Sequence, residues 1–184
     1  MNRPLRSLLL CGALGGALGA CSDLRGLLKP DDLRTADEHF RLGAAAEAKD
    51  DLDDAVRHYA RTVGLHPSDP EAWLALGNAA FKRGDLARAE DAYRRALNIA
   101  PEHVGAQNNL AMAYLAQNKN LTEAEALAKA ALRQEGPLRP YVLDTLASIY
   151  EAELRFPEAR AAAAKAAAAK TSYSAAFPLP PESL

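Results

Sequence analysis

The side chains best suited to chemistry in this sequence are two cysteines and four histidines. Cys11 and Cys21 both lie near the amino terminus, and no third cysteine follows them. The spacing of the histidines matches no pattern of zinc ligands. We interpret one of them as a helix-packing residue, His39, and the others as surface or turn residues, His58, His66 and His103. The sequence shows no thiol nucleophile, zinc cluster or phosphate-binding loop, and therefore predicts a non-enzymatic protein without a metal or cofactor.

Two polar stretches resemble a ligand site and a modification site. KDDLDD, residues 49–54, is rich in carboxylates but lacks the alternating ligands and the glycine of a calcium loop. Aspartates placed there would instead cap a helix and complement its dipole. NLT, residues 120–122, is formally a glycosylation sequon, but Asn120 with Glu123 three residues later also suits a helix start. We interpret both stretches as helix starts.

The composition restricts the class of partner. The chain has 184 residues, of which 49% are hydrophobic and 25% charged, as in one ordinary globular domain. Its net charge is −2, and removal of residues 1–20, which contain Arg3 and Arg6, would leave 20 basic against 24 acidic residues. An acidic chain offers no electrostatic basis for binding nucleic acid. Much of the apolar content is alanine, which favours helices that pack closely.

The first twenty residues have the features of an export signal. Arg3 and Arg6 precede an uncharged run over residues 7–20, which is shorter than the roughly 20 residues of a membrane-spanning helix. The run ends in Leu18-Gly19-Ala20-Cys21, which resembles the lipobox of bacterial lipoproteins. In that family the chain is cut before the cysteine, which carries covalent lipid. The resemblance implies that Cys21 is the lipidation site.

Two alternatives to lipidation of the cysteine remain open. One is an ordinary signal peptide, cut near Ala20, that leaves the cysteine unmodified. The other is a disulfide between Cys11 and Cys21, which cleavage between them would separate. If lipid is attached, two or more acyl chains anchor a protein stably. Ser22 at the second mature position resembles lipoproteins sorted to the outer membrane, so we expect the protein at its periplasmic face.

Beyond this segment the sequence repeats itself with a period of 34 residues. Matched positions include Gly43 and Gly77, Tyr59 and Tyr93, and Pro67 and Pro101. Each copy contains two windows with helical apolar spacing, separated by a turn. In Gly84-Asp85 the glycine permits a positive φ and the aspartate caps the next helix. We expect the two tyrosines to fill the gap between neighbouring helix pairs.

The second copy resembles the tetratricopeptide repeat (TPR). The residues that carry the resemblance are Trp73, Leu76, Gly77, Ala89, Tyr93, Ala96 and Pro101. The resemblance implies an all-α fold, a right-handed superhelix of about four helix-turn-helix repeats. The expected segments are a signal peptide (1–20), a lipidated linker (21–35), four repeats (36–69, 70–103, 104–139 and 140–170) and a proline-containing tail (171–184).

The tail bears on how the array ends. Its prolines argue against a long helix beyond Lys170. Because repeat arrays usually need a covered terminal face, we expect either a partner or Tyr173 and Phe177, folding back, to cover the last helix.

The TPR resemblance also implies where a partner binds, because the first helix of each repeat lines a concave groove in that family. The residues carried over to groove positions are Phe40, Ala44, Glu47, Leu74, Asn78, Phe81, Lys82, Asn108, Met112, Leu115, Asp144, Ser148 and Glu151. They are apolar in the middle and acidic at both ends, which suits a protein or peptide segment with apolar anchors and some basic residues. Packing between helices is the alternative for the large apolar members.

Some TPR proteins hold a terminal carboxylate with a clamp of lysine, arginine and asparagine. Here Asn78 fits that pattern, but Phe40 and Ala44 replace the first pair of clamp residues. Gly105 and Asn109 stand where basic residues are expected. We therefore do not expect a carboxylate clamp.

These features together predict a non-enzymatic interaction scaffold that is tethered to the outer membrane by its lipid. In architecture it resembles lipoproteins of pilus assembly, namely the tight-adherence pilus lipoprotein and the pilotins that bring secretin subunits to the outer membrane. The partner would be a pilus, secretin or other envelope protein, and not nucleic acid. The alternatives are an adaptor that recruits cell-wall enzymes and an enzyme whose site is not recognisable in the sequence.

Overall fold

The computed structural model describes residues 34–176, which form eight α-helices and, within that range, no strand. The helices are α1 (Ala36–Glu47), α2 (Leu52–Leu65), α3 (Pro70–Lys82), α4 (Leu86–Ile99), α5 (Val104–Ala116), α6 (Leu121–Ala131), α7 (Arg139–Ala152) and α8 (Phe156–Ala176). The segment predicted as a signal peptide, Cys21, Ser22 and Phe177 lie outside the described residues. Among the helices of the described range, none combines the length and the apolar character needed to cross a bilayer.

The helices pack as four consecutive pairs. α1 packs against α2, α3 against α4, α5 against α6, and α7 against α8. Each second helix then contacts the first helix of the next pair, and the first helices α3, α5 and α7 contact one another in turn. This confirms the all-α, right-handed superhelix of helix-turn-helix repeats, because no pair buries its apolar side without a neighbour.

Side-chain caps set most of the helix starts. Asp51 accepts a hydrogen bond from the backbone N–H of Asp54 at 3.0 Å, so the KDDLDD stretch is a helix start, as we predicted. Asp85 accepts from the N–H of Arg88 at 3.2 Å, directly after Gly84, whose φ is +86°. The turn predicted at Gly84-Asp85 is therefore confirmed.

The NLT stretch is a helix start, as we predicted, because α6 begins at Leu121 directly after Asn120, but the capping role predicted for Asn120 and Glu123 is wrong. Asn120 adopts a left-handed conformation, with φ of 51°, and its side chain makes no capping hydrogen bond. Glu123 instead accepts a hydrogen bond from the hydroxyl of Tyr114 at 3.1 Å. The reason is that the buried Tyr114 needs an acceptor for its hydroxyl, and Glu123 supplies it.

The turn between the two helices of each repeat places a residue in the left-handed region at an equivalent position, and the turn of the third repeat has a second one, Asn120. At the equivalent position φ is 61° at Asp50, 86° at Gly84, 47° at Asn118 and 59° at Leu154. Glycine, asparagine and aspartate adopt this conformation readily, whereas a leucine Cβ makes it costly, by roughly 1–2 kcal/mol. Leu154 is also 74% exposed, so that packing does little to offset this cost.

In the first two repeats a tyrosine of the second helix lies over a glycine of the first. A Cβ built on Gly77 would lie 2.4 Å from Cε1 of Tyr93, and one on Gly43 would lie 2.8 Å from the ring of Tyr59. The tyrosines therefore pack inside their own helix pair, which corrects the expectation that they fill the gap between pairs. Glycine is required because any side chain there would overlap the ring.

In the third and fourth repeats the large aromatic ring lies on the first helix of the pair and not on the second. In the third repeat Ala111 stands at the glycine position and Ala128 at the tyrosine position, and both are fully buried. The aromatic ring comes instead from the first helix, as Tyr114 in α5 and Tyr150 in α7. Each pair thus receives one large ring opposite small residues, which keeps the interior filled.

The fourth residue of the first helix differs in type among the first three repeats. The indole Nε1 of Trp73 donates to the carbonyl of Pro67 at 2.8 Å, and Nε2 of Gln107 donates to that of Pro101 at 2.7 Å. His39 occupies the equivalent position in α1 and is buried, as we predicted for a packing residue.

His58 is not a surface residue, contrary to the sequence-based expectation. It lies on the face of α2 that packs against α1, and it is only 8% exposed. Its Nδ1 lies 3.0 Å from Nδ1 of His39. Two positions that sequence reading treated separately therefore meet inside the first helix pair.

The last helix is longer than we predicted. α8 continues to Ala176, six residues beyond Lys170, so that Tyr173 belongs to the helix and not to a tail that folds back. Residues 171–176 contain neither glycine nor proline, and they extend an alanine-rich helix. The next helix breaker is Pro178, which disfavours helical geometry in the residue before it.

Candidate functional site

A pocket lies between the first helices of the second and third repeats. Its volume is about 240 Å³, and it is lined by Asn78, Phe81, Lys82, Tyr93, Asn109 and Met112. Four of these are among the groove residues that we predicted from the sequence: Asn78, Phe81, Lys82 and Met112. The contact between α3 and α5 brings them together, since the residues of both helices that face the groove meet there. We call this the α3–α5 pocket.

A network of side-chain hydrogen bonds orients the polar wall of the α3–α5 pocket. The hydroxyl of Tyr93 donates to Oδ1 of Asn78 at 3.0 Å, and Nδ2 of Asn109 donates to the same oxygen at 2.8 Å. Nδ2 of Asn108 donates in turn to Oδ1 of Asn109 at 3.3 Å. Because Oδ1 of Asn78 accepts twice, its Nδ2 is left as a donor, and no acceptor for it occurs among residues 34–176.

The environment of Tyr93 keeps its hydroxyl protonated. Burial raises the pKa of Tyr93 well above the usual tyrosine range, and the negative charge of Glu47 adds to the shift. A hydrogen bond from Asn109 acts in the opposite direction but does not outweigh burial. Tyr93 therefore donates to Asn78 throughout the physiological pH range, and the orientation of the Asn78 amide is fixed.

The one cation of the pocket is paired. Nζ of Lys82 lies 2.5 Å from Oε1 of Glu47, and Oε2 of Glu47 accepts a hydrogen bond from the Tyr59 hydroxyl at 3.0 Å. Asp144, at the other end of the predicted groove, pairs with Lys170 at 2.5 Å. Two of the three carboxylates on which we based acidic groove ends are thus paired, and the third, Glu151, lies exposed on α7. The α3–α5 pocket itself offers apolar surface and amide donors.

A second pocket lies beside Phe40. Its volume is about 470 Å³, and it is lined by Asp37, Phe40, Arg41, Thr62, His66, Asp69 and Glu71. Its polar groups are already engaged in local structure. Asp69 caps α3 by accepting from the N–H of Glu71 at 2.9 Å, and the carboxylate of Glu71 lies 2.9 Å from Nε2 of His103. These bonds leave the α3–α5 pocket as the better candidate site.

The other predicted groove residues do not line the α3–α5 pocket. Leu74 and Leu115 are half-buried and pack against the core, which agrees with the alternative that they pack between helices. Asn108 is buried. Ala44, Ser148 and Glu151 are exposed, on α1 and α7. Phe81 also packs against the core but keeps part of its surface in the pocket, as does Met112, which is 37% exposed.

Sequence reasoning did not assign two lining residues to the groove. Asn109 lies three residues before Met112 on α5, and this helical spacing, which places both on one face, was a usable signal. Tyr93 is a packing residue of the second helix, and only its hydroxyl reaches the pocket. No sequence pattern distinguishes a packing tyrosine whose hydroxyl ends in the groove from one whose hydroxyl does not.

The groups of the site are suited to holding a ligand by contact. Within the described part of the chain, no three histidine, cysteine, aspartate or glutamate side chains are close enough to hold a metal ion. The α3–α5 pocket combines an apolar wall with convergent amides, which is the arrangement that fixes an apolar side chain next to a backbone carbonyl.

Solved TPR structures are similar to this chain over most of its length. The crystal structure of MamA superposes with a TM-score of 0.70 at 21% identity, over 85% of this chain and 90% of that one. MamA residues 41 to the end from Desulfovibrio magneticus RS-1 gives 0.65 at 19% identity, over 73% and 75%. The TPR2B domain of yeast Sti1, solved as a complex with an Hsp70 peptide, gives 0.60 at 20% identity, over 63% and 96%.

Similar proteins known by sequence match a shorter part of the chain. The TPR-containing protein trd-1 of Caenorhabditis elegans is 30% identical over 84 residues, which is 46% of this chain and 11% of that protein. The human protein O-mannosyl-transferase TMTC1 is 32% identical over 85 residues, 46% of this chain and 10% of that protein. The chain thus spans only about a tenth of the length of these relatives.

The family itself is established over a longer stretch. The model of the Cilia and flagella-associated protein 70 middle TPR-like domain matches residues 39–176, which are most of the chain and all but three residues at the start of the helical array. The resemblance to the TPR that Trp73, Gly77 and Tyr93 carry in the sequence is therefore confirmed. The chain belongs to this family of TPR-like domains.

Proposed function

We propose that this chain is a non-enzymatic scaffold that binds a peptide segment of another protein in the α3–α5 pocket. One observation carries the proposal: the fixed Asn78 amide presents a donor beside the apolar surfaces of Phe81 and Met112. A peptide supplies both complements, a backbone carbonyl for the amide and an apolar side chain for the wall. TPR-type folds are typical of protein-interaction scaffolds, and this supports the proposal at the level of the fold.

The proposal includes a tether. Cys21, within the lipobox-like sequence Leu18-Gly19-Ala20-Cys21, would carry lipid and hold the scaffold at the periplasmic face of the outer membrane. The basic, apolar and small-residue order of residues 1–20 supports this. A tethered groove would meet envelope proteins at high local concentration. We propose that its partner is a component of a pilus or secretion machine.

A displayed peptide library tests the binding site. We expect purified wild-type protein to select peptides with an apolar anchor, and the variant Met112→Lys to lose them. Met112 is partly exposed, so this variant should keep the fold, which circular dichroism would check. Arg160→Ala on the exposed face of α8 is the matched control and should bind as the wild type does. Selected peptides that bind Met112→Lys equally well would place the site elsewhere.

Labelling with a fatty-acid analogue tests the tether. Expressed in a bacterium, the wild-type chain should incorporate the label and fractionate with the outer membrane. Cys21→Ser should do neither, whereas Cys11→Ser should behave as the wild type. Crosslinking of the labelled protein in native envelopes would then identify the partner: pilus or secretin subunits support the proposal, and cell-wall enzymes favour the adaptor alternative.

A further inference from the structure

The turn between α7 and α8 differs from the three equivalent turns in the chain. Its left-handed residue is Leu154, where the other repeats have Asp50, Gly84 and Asn118. Leu154 is 74% exposed, and Phe156, two residues later, is 54% exposed. We call Leu154 and Phe156 the α7–α8 tip. The backbone of Leu154 is strained and its side chain is exposed to water, so leucine at this position does not stabilise the fold.

The charge at the α7–α8 tip is held away from its apolar side chains. The guanidinium of Arg155 stacks on the ring of Tyr150, 4.3 Å from its centroid. It also pairs with Glu125 at 2.9 Å, Glu153 at 3.0 Å and Glu158 at 3.2 Å. The tip therefore presents two apolar side chains beside a cation that is already paired.

Carboxylates outnumber the cation at the tip. Glu158, on the first turn of α8, shares Arg155 with Glu125 and Glu153, whereas Glu151, on the last turn of α7, is exposed and has no ion pair within residues 34–176. The tip is thus an apolar projection with an acidic rim. A surface that accepts it should combine an apolar recess with hydrogen-bond donors or a cation at its edge.

The same chain contains a recess of that description. The α3–α5 pocket has an apolar wall from Phe81 and Met112 and the donor Nδ2 of Asn78. Lys82 stands at its edge with 58% of its side chain exposed, and its pair with Glu47 engages only one of three ammonium donors. The apolar side chains of the tip therefore match the apolar wall of the pocket, and its excess carboxylate matches the hydrogen-bond donors of Asn78 and Lys82.

We propose that the α7–α8 tip of one copy docks in the α3–α5 pocket of a second copy. This names a partner for the pocket, and in that respect it rests on the proposed function. The two surfaces differ and belong to different repeats, so the contact is heterologous. Each copy in contact still has a free tip or a free pocket, and the association therefore continues head to tail.

Sedimentation velocity over a range of protein concentrations tests the proposal. Wild-type protein should increase in average mass with concentration. Leu154→Gly should weaken self-association by roughly tenfold or more, since it removes the anchoring side chain. This variant also relieves the left-handed strain, so unfolding cannot explain its effect. Asp50→Gly, at the same position of the first repeat, is the matched control and should associate as the wild type does.

A mixture of variants tests the pairing of the two surfaces. Leu154→Gly keeps its pocket and Met112→Lys keeps its tip, so each alone should remain monomeric. Mixed together, they should form a dimer and nothing larger, because only one intact tip and one intact pocket can meet. A wild-type protein that is monomeric up to its solubility limit would overturn the proposal, as would a mixture that stays monomeric.

The two proposals fail separately. If library peptides bind the pocket but the wild-type protein stays monomeric, the self-docking inference is wrong and the peptide-binding function stands. If the protein self-associates through Leu154 but selects no peptide, the binding of other proteins is wrong and self-docking stands. If both hold, a pocket peptide should dissociate the assemblies.

Discussion

Nδ1 of His39 lies 3.0 Å from Nδ1 of His58, inside the first helix pair, where both rings are shielded from solvent. At this distance one ring nitrogen donates a proton to the other, so the pair accommodates one shared proton between the two Nδ1 atoms. A second proton there would place two positive charges in contact. The packing of α1 on α2 therefore depends on at least one ring staying neutral.

The histidine pair predicts that a buried hydrogen bond stabilises the first repeat. His39→Phe removes the bond between the two Nδ1 atoms and should lower the free energy of unfolding by about 1–3 kcal/mol. Urea unfolding of both proteins at pH 8 measures the difference. His66→Gln, an exposed control, should follow the wild type. Equal stability of the wild type and His39→Phe would contradict the prediction.

Two buried tyrosines predict a loss of stability at high pH. Burial raises the pKa of Tyr59, and its hydrogen bond to the charged Glu47 raises it further; burial likewise raises the pKa of Tyr93. Stability from these groups is complete below the unfolded tyrosine pKa of about 10 and is lost as the pH rises above it. Tyr59→Phe should flatten this alkaline decline, whereas Tyr141→Phe, 61% exposed, should not. Thermal melts from pH 8 to 12 would show either outcome.

Two glycines give opposite predictions for the same substitution. Gly77→Ala should destabilise the protein by about 2 kcal/mol, because the new Cβ would lie 2.4 Å from the Tyr93 ring. Gly64→Ala should stabilise it by about 0.5 kcal/mol, since a Cβ there meets nothing within 4 Å in the last turn of α2. Guanidinium unfolding compares the two. Equal effects would mean that the glycine–tyrosine contact does not restrict the packing.

Leu154→Gly should raise the unfolding free energy by about 0.5–1 kcal/mol. Removing Cβ relieves a left-handed strain of roughly 1–2 kcal/mol, and the greater freedom of glycine in the unfolded chain takes back part of the gain. The measurement must be made on dilute protein, so that self-association does not contribute. A decrease would show that Leu154 stabilises the turn through its own contacts.

The repeat architecture could be predicted from the sequence because its signals are periodic. Three signals depend on local chemistry: the 34-residue offset, the turn at Gly84-Asp85 and the spacing from Trp73 to Pro101. Four lining residues of the α3–α5 pocket followed from the resemblance to the TPR. What the period could not show was side-chain pairing: Lys82 with Glu47, or His39 with His58. Such pairs depend on distances between helices, which sequence spacing does not determine.

The end of the array was predicted less well for a related reason. Proline content suggested that the helix stops near Lys170, but the six residues that follow have no breaker of their own, and the helix continues to Ala176. Similarly, Asn120 has the residue type of a cap, but its left-handed backbone points the side chain away from that role. In both cases the backbone context decided and the residue type did not.

Between the second and third repeats the aromatic ring of the helix pair changes from the second helix to the first, and this divides the array into two halves. Before the boundary the tyrosine hydroxyls of α2 and α4 reach Glu47 and Asn78 on first helices. After it, the hydroxyl of Tyr114 donates to Glu123 on the second helix of its own pair, and it accepts from Arg94 on α4, across the boundary. The link between α4 and α5 is therefore a natural crossover point for building hybrid proteins. A hybrid joined there would keep the ring and the small residues of each helix pair together if it retains Arg94 opposite Tyr114. One joined inside a helix pair would combine two rings or two gaps.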